Sequence, residues 1–327
     1  MNSKYISAMV LLYYHLLPKR LPRFTNTHYI AVALILVTLP AGIGYASWEA
    51  GTCEVTALYI DDAPGNIVYI ADPHLKEGNV DHVKDLIREI NRLEPSVVLI
   101  GGDFVFGENE EDFVYQEVWS GIDAPVYAIL GNHDYKAGIT ASSGMDKILR
   151  MREADLSVDN FDVSCMFDET TDLEYAAALE EVLEENGVTV LRNEYVELTI
   201  DGRRVLIVGV DDGWAGLSDP PVVDSEGAFT IYLIHEPECR ADWDADLILA
   251  GHTHGGQINI AAMETLTGSG VVEMSGLVSN GDVPFYISRG IGTSNTKSDL
   301  RFMCAPEIVV INPTVDVDGM RDRKSVV

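Results

Sequence analysis

Apolar positions fall into two kinds of run along the chain. The first is continuous: residues 29–47, "YIAVALILVTLPAGIGYAS", carry no charged side chain. At about 1.5 Å per residue they form a helix just long enough to cross a hydrocarbon core of about 30 Å. After it, short apolar runs alternate with segments of helical period. Residues 66–71 ("NIVYIA"), 96–100 ("SVVLI") and 126–130 ("VYAIL") read as buried strands, and 80–93 as an amphipathic helix. That βαβαβ order predicts a parallel α/β sheet with ligands outside the carboxyl ends of its strands. Later come residues 189–191, a hairpin turning at Asp201 and Gly202 ("YVELTI", "RRVLIVGV"), and the runs "FTIYLI", "DLILA", "PFYISRG" and "EIVVI", which make the second half strand-rich.

The pattern divides the chain into a membrane-anchor region at 1–50, with its span near 29–47, one layered domain at 51–312, and a polar tail at 313–327. Residues 139–172 are acidic and poorly periodic and read as an insertion or flap. Lys19, Arg20 and Arg23 precede the span, and the positive-inside tendency keeps that flank cytoplasmic, with the domain outside the cell membrane. The apolar stretch at 5–17 is short for a span; a hairpin through it leaves the domain outside as well. A cleaved signal peptide ending near Gly44, Tyr45 and Ala46, and a buried helix of a soluble protein, are the rival readings. Retention is favoured because the segment begins late and follows other apolar sequence.

Charge changes the picture. Lys and Arg number 22 against 52 Asp and Glu, a formal net charge of -30, and no acidic residue precedes Glu49. Such self-repulsion is best tolerated where salt screens it, which points to a halophilic source. It also opposes nucleic-acid binding, which depends on clustered Lys and Arg. The four cysteines, Cys53, Cys165, Cys239 and Cys304, are widely spaced and read as buried free thiols.

The strand ends carry the chemistry. "IADPH" places Asp72 and His74 after the first strand, "IGGDF" places Asp103 after the second, and "ILGNHD" places Asn132 and His133 after the third. "LIHEPE" and "LAGHTHGG" then deliver His235, His252 and His254 in the second half. Besides His133, four imidazoles, two carboxylates and an amide are too many ligands for one tetrahedral site with an open position. The mixed set suits Zn, Mn or Fe over Ca or Mg, and a close pair of such ions suits in-line attack at phosphorus. Gly101, Gly102, Gly131, Gly251, Gly255 and Gly256 permit sharp turns and close backbone approach. Singly, a strand-end Asp or Asn is more often a cap or turn residue; together, in this order, they point to a metal site.

"DPH", "GGD", "GNHD", the His of "LIHEPE", and "GHTH" resemble, in order, the five blocks of the calcineurin-like metallophosphoesterases over most of residues 66–312. "GHTHGGQ", "LRNEYV", "GVDD", "YISRGIGTS" and "RFMCAPEIVVI" are similar to its membrane-associated YkuE/YaeI-type phosphohydrolase branch. The resemblance implies a four-layer αββα sandwich, two mixed sheets flanked by helices. It also implies two divalent transition-metal ions (Mn, Fe or Zn), with Asp72, His74 and His254 on one, Asn132, His235 and His252 on the other, and Asp103 bridging. His133 would be the catalytic histidine that is not a ligand, and a metal-bridging hydroxide would attack a phosphodiester or phosphomonoester. Phe106 departs from the family, which often has a polar residue three positions after the bridging aspartate; a polar contact behind the ligands is thereby in doubt.

Four further residues are weighed individually. Arg289 is a candidate phosphate contact, with a structural salt bridge as its equal alternative. Asp211 and Asp212 are divided evenly between the site edge and a turn, and His82 reads as surface. A non-catalytic metal-containing binding or scaffold module is the alternative function, disfavoured because His133 is present. The anchor suits a lipid or cell-envelope phosphoester substrate; metal identity, exact substrate and oligomeric state have no signature in the sequence.

Overall fold

The computed structural model describes residues 25–258, 274–278, 283–294 and 299–317. The apolar stretch at 5–17 and the basic flank at 19–23 lie outside the described residues. The chain separates into two compact units, Met1–Gly44 and Tyr45–Val327. Helix α1, Asn26–Ala50, is the one helix among the described residues long and apolar enough to cross a membrane.

Two six-stranded mixed sheets form the second unit. The first has the order β1 (Glu54–Leu58), β12 (Glu307–Ile311), β2 (Ile67–Ile70), β3 (Val97–Ile100), β4 (Val126–Ala128) and β5 (Val188–Val190). The second runs β10 (Gly276–Val278), β11 (Phe285–Ile287), β9 (Leu247–Ala250), β8 (Phe229–Leu233), β7 (Arg203–Gly209) and β6 (Glu194–Ile200). Strands β2 to β5 are parallel, as are β7, β8, β9 and β11. β12 is antiparallel to β2 and parallel to β1. The expected parallel strands and first crossover helix are therefore present, but the crossover from β3 to β4 holds a 3-10 helix, Glu110–Gly121, in place of an α-helix, and a late strand is inserted beside β2.

Alternation along the strands builds the layers. Ile67 and Tyr69 of β2 face the core between the sheets with Val205, Ile207, Ile231 and Leu249, while Val68 and Ile70 face the opposite way. Helix α2 (Val80–Arg92) covers that outer face with Val83, Leu86, Ile87 and Ile90, a spacing that aligns them on one stripe. Each such buried side chain contributes roughly 1.5 to 3 kcal/mol. The helix stops where Glu94 turns left-handed ahead of Pro95. Helix α4 (Leu173–Glu185), capped by the Asp172 carboxylate on Tyr175 N–H, adds Ala176, Leu179 and Leu183 to the same layer. The outer face of the second sheet packs Tyr232, Ile248 and Phe285 against Trp243 and Phe161.

Residues 139–172 hold helix α3 (Ala141–Arg150) and three short 3-10 turns. The segment read as a polar tail begins with packed chain, since Val317 is buried in the same apolar cluster as the inner face of α2. All four cysteines are free, Cys239 and Cys304 buried, Cys53 and Cys165 half-buried.

Candidate metal centre

Seven of the eight sequence-predicted residues come from loops at one edge of the two sheets and converge; the eighth, His133, lies beside them. Backbone hydrogen bonds stitch the first two loops together: Asp72 N–H donates to Gly102 O (3.0 Å), His74 N–H to Asp103 O (3.0 Å) and Leu75 N–H to Phe104 O (2.8 Å). Asp72, His74, Asp103, His252 and His254 all have left-handed backbones, with φ of 52°, 40°, 57°, 68° and 51°. Non-glycine residues rarely adopt that region, and such strain collects at functional sites. Gly131 is required by crowding: a Cβ there would lie 2.4 Å from Asp103 Oδ1 and 2.7 Å from His235 Cε1.

The donors divide into two groups that share Asp103: Asp72, His74, Asp103 and His254; and Asp103, His235 and His252. His74 Nε2 faces His254 Nε2 at 3.0 Å and Asp103 Oδ2 at 3.4 Å. His235 Nε2 is 3.2 Å from the same Asp103 oxygen. Second contacts fix the rings. His74 Nδ1 reaches Val105 O (3.0 Å) and His235 Nδ1 reaches Gly101 O (2.7 Å), so each donates there and turns a bare Nε2 into the centre. Asn132 Nδ2 donates to Ala137 O, which aims its Oδ1 at His252 Nδ1, 3.1 Å away.

This donor set fits divalent cations. The carboxylates of Asp72 and Asp103 are buried, and Asp72 Oδ2 has no hydrogen-bond partner, a costly arrangement without a cation to accept its charge. Burial lifts the Asp72 carboxyl to about 7 and lowers His74 to about 3. Burial also works to raise Asp103, but His235, His133 and His74 beside it outweigh that and hold it well below the usual carboxylate range. It is also the carboxylate common to both donor groups.

His133 lies outside both donor groups. Its ring stands edge-on to His74, with centroids 4.6 Å apart, and its backbone N–H donates to Asp103 Oδ1 (2.9 Å). Arg289 is engaged elsewhere: its guanidinium pairs with Glu54 and Glu307, each at 2.9 Å, which is the salt-bridge alternative. Asp211 accepts from Tyr135 Oη and Arg192 Nε, and Asp212 from Ala215 N–H, so both organise the loop after β7. His82 is half-buried with Nε2 enclosed, a correction to its reading as surface; Asp85 and Asp299 lie near it.

Three supporting residues were not singled out in the sequence. Asp134 is buried and accepts from Phe104, Val105 and Gly131 N–H, tying the second and third loops together; it is the last letter of "GNHD". Trp214 sets its ring 4.6 Å from that of His252. Arg301, fully buried, donates to the carbonyls of His254, Cys304, Gly290 and Gly292, and its Nη2 lies 3.3 Å from His254 Nδ1.

Buried His and Asp donors at the shared carboxyl edge of two mixed sheets define a metal-dependent hydrolase of phosphoesters. The family model for calcineurin-like phosphoesterases matches residues 65–256, and the chain belongs to that family. It is 26% identical over 306 residues to the phosphodiesterase YaeI of Escherichia coli, covering 88% of this chain and 98% of that one. It is likewise 26% identical to the metallophosphoesterase YkuE of Bacillus subtilis (88% and 95%). Similarity extends to the UDP-2,3-diacylglucosamine pyrophosphatase LpxG of Chlamydia trachomatis, 27% identical over 75% of this chain and 82% of that one.

Proposed function

We propose that the chain is a membrane-anchored phosphohydrolase with a binuclear centre, cleaving a phosphodiester or phosphomonoester with water as the nucleophile. The observation that carries this is the pair of donor groups sharing Asp103. Asp72, His74 and His254 would hold one ion, Asn132, His235 and His252 the other, and Asp103 both. Divalent Mn, Fe or Zn bound there supplies Lewis acidity toward water and toward the phosphoryl oxygens.

The chain's own groups do the rest. The Val105 and Gly101 carbonyls hold the imidazoles of His74 and His235 in the ligating tautomer. His133 stands at the centre without belonging to it, placed to protonate the departing oxygen; burial lowers its pKa, so the protonated form this role needs is favoured on the acid side. No side-chain nucleophile is invoked, and no phosphoenzyme forms. The apolar α1 and the likeness to a diacylglucosamine pyrophosphatase support a lipid or cell-envelope substrate, and the basic residues Lys19, Arg20 and Arg23 ahead of the span support a domain outside the cell membrane.

Elemental analysis of the purified full chain, beside Asp103→Asn and His133→Ala, tests the reading. Two transition-metal ions per chain are expected, with most of that content lost in Asp103→Asn. In His133→Ala the metal stays while kcat on bis-p-nitrophenyl phosphate falls by about 10²- to 10⁴-fold. One ion in the wild type, unaffected by Asp103→Asn, would sink the binuclear assignment.

A further inference from the structure

Two apolar ledges flank the candidate metal centre at the edge where both sheets present it. The first precedes β1. Because β12 runs antiparallel to β2 and β1 follows β12, β1 begins where β2 ends. Residues 45–50 therefore sit at the site edge. Ala46 O accepts from Arg301 N–H (3.0 Å), Glu49 Oε2 accepts from Cys304 N–H (3.3 Å), and the Tyr45 and Phe302 rings meet at 5.4 Å. Arg301 in turn contacts His254. Around this corner Trp48, Ile258 and Met303 are 52%, 54% and 61% exposed.

The second ledge is α3, which is mounted with its polar side inward. Lys147 is fully buried and pairs with Asp168 at 2.8 Å, whereas Met145, Ile148 and Leu149 share the opposite face and are more than half exposed. Only one side chain separates α3 from the centre. A Cβ on Gly144 would be 3.6 Å from the Trp214 ring, and that ring packs on His252. Isolated exposed apolar side chains need no explanation, but here three share one face of α3 and three stand around one corner of the site edge.

We propose that this edge is a bilayer-docking surface, with α3 and the Trp48, Ile258 and Met303 ledge resting in the interfacial layer, so that the centre takes phosphoesters from the lipid headgroup plane. The proposal rests on the membrane-anchor reading of α1 and narrows the substrate class of the hydrolase. The occupant is lipid because, in the sequence, the apolar segment at 29–47 is followed directly by Trp48 and Glu49, and Glu49 is held at this edge by Cys304 N–H. Tyr45 and Trp48 are the residues that favour the headgroup level, and an amphipathic helix such as α3 lies naturally in that plane.

The test uses the full chain in nanodiscs of phosphatidylglycerol and phosphatidylcholine. The photoreactive residue p-benzoylphenylalanine replaces Ile148, Met303 or Tyr59, one at a time. Tyr59 is 73% exposed and follows β1 at the opposite edge of the sheet. Irradiation is expected to add the mass of one phospholipid at 148 and 303 and none at 59. Absence of lipid adducts at 148 and 303, or equal adducts at all three, overturns the proposal. Near-ultraviolet circular dichroism of the same samples shows that each is folded, and assay on bis-p-nitrophenyl phosphate reads the hydrolase on its own. Cross-linking requires no turnover, so failure of the hydrolase reading would register separately.

Discussion

Arg301 shows how far the centre depends on groups behind its ligands. Its guanidinium is wholly buried yet spends its donors on four carbonyls, spanning the 254, 290–292 and 304 segments, with the His254 ring beside it. Lysine keeps the charge but lacks the planar fork that reaches several acceptors at once. Arg301→Lys is therefore expected to weaken metal retention by about 10- to 100-fold, the usual cost of losing a group that orients a ligand. Dialysis against graded chelator, with metal read by elemental analysis, checks this; wild-type retention would refute it. The residues proposed as ligands stood out because each follows an apolar strand and the histidines among them are scarce: with His133, five of the 8 histidines stand at these strand ends. Arg301 and Trp214 were not, since contacts made across the fold leave no local spacing. The five left-handed backbones at the site were equally hidden, because no residue type there announces them as glycine would.

At the scale of elements, legibility tracked periodicity. Strands β2, β3, β8, β9, β11 and β12 fall inside the apolar runs that predicted them, and α2 occupies almost the whole predicted helix. Helix α3 escaped because its pattern is inverted: apolar residues face out, and Lys147 faces in against Asp168 and Met166 O. Strand β1, "EVTAL", is too short and mixed to separate from the chain after α1. The Lys147 and Asp168 pair makes the insertion sensitive to acid. Burial works to raise Asp168, but hydrogen bonds from Lys147 and Thr170 prevail and lower it to about 2. A depressed carboxyl stabilises fully above its unfolded value of about 3.9 and loses that contribution as pH falls through its folded value. With screening at its partly exposed side allowed for, the contribution is on the order of 1 to 2 kcal/mol. Residues 141–172 should thus open between about pH 4 and 2, as read by hydrogen exchange. At pH 7, Asp168→Asn strands the buried ammonium and is expected to cost about 3 kcal/mol, largely recovered by adding Lys147→Met. Unchanged exchange in the single variant would show that the pair does not hold the segment.

The whole molecule carries a net charge of -30, and it shapes behaviour no single contact explains. The fold was legible as layers; the charge was legible as a number, but its consequence depends on the solvent. Part of the negative charge is neutralised locally, where Arg192 bridges Glu180 and Asp211 and Arg289 bridges Glu54 and Glu307. Most of it has no such partner, since acidic groups outnumber basic ones by more than two to one. The excess repels itself over distances comparable to the Debye length, about 10 Å at 0.1 M salt and 3 Å at 1 M. Raising KCl from 0.1 M to 2 M should therefore remove several kcal/mol of repulsion and raise Tm by roughly 10 °C. A non-ionic control separates screening from strengthened apolar burial, because sucrose acts only through exclusion from the surface. A halophilic adaptation requires a rise in KCl well beyond that in sucrose. A Tm that is flat in KCl, or that follows sucrose equally, would mean that local ion pairs already compensate the charge and that the acidic surface answers to something other than salt.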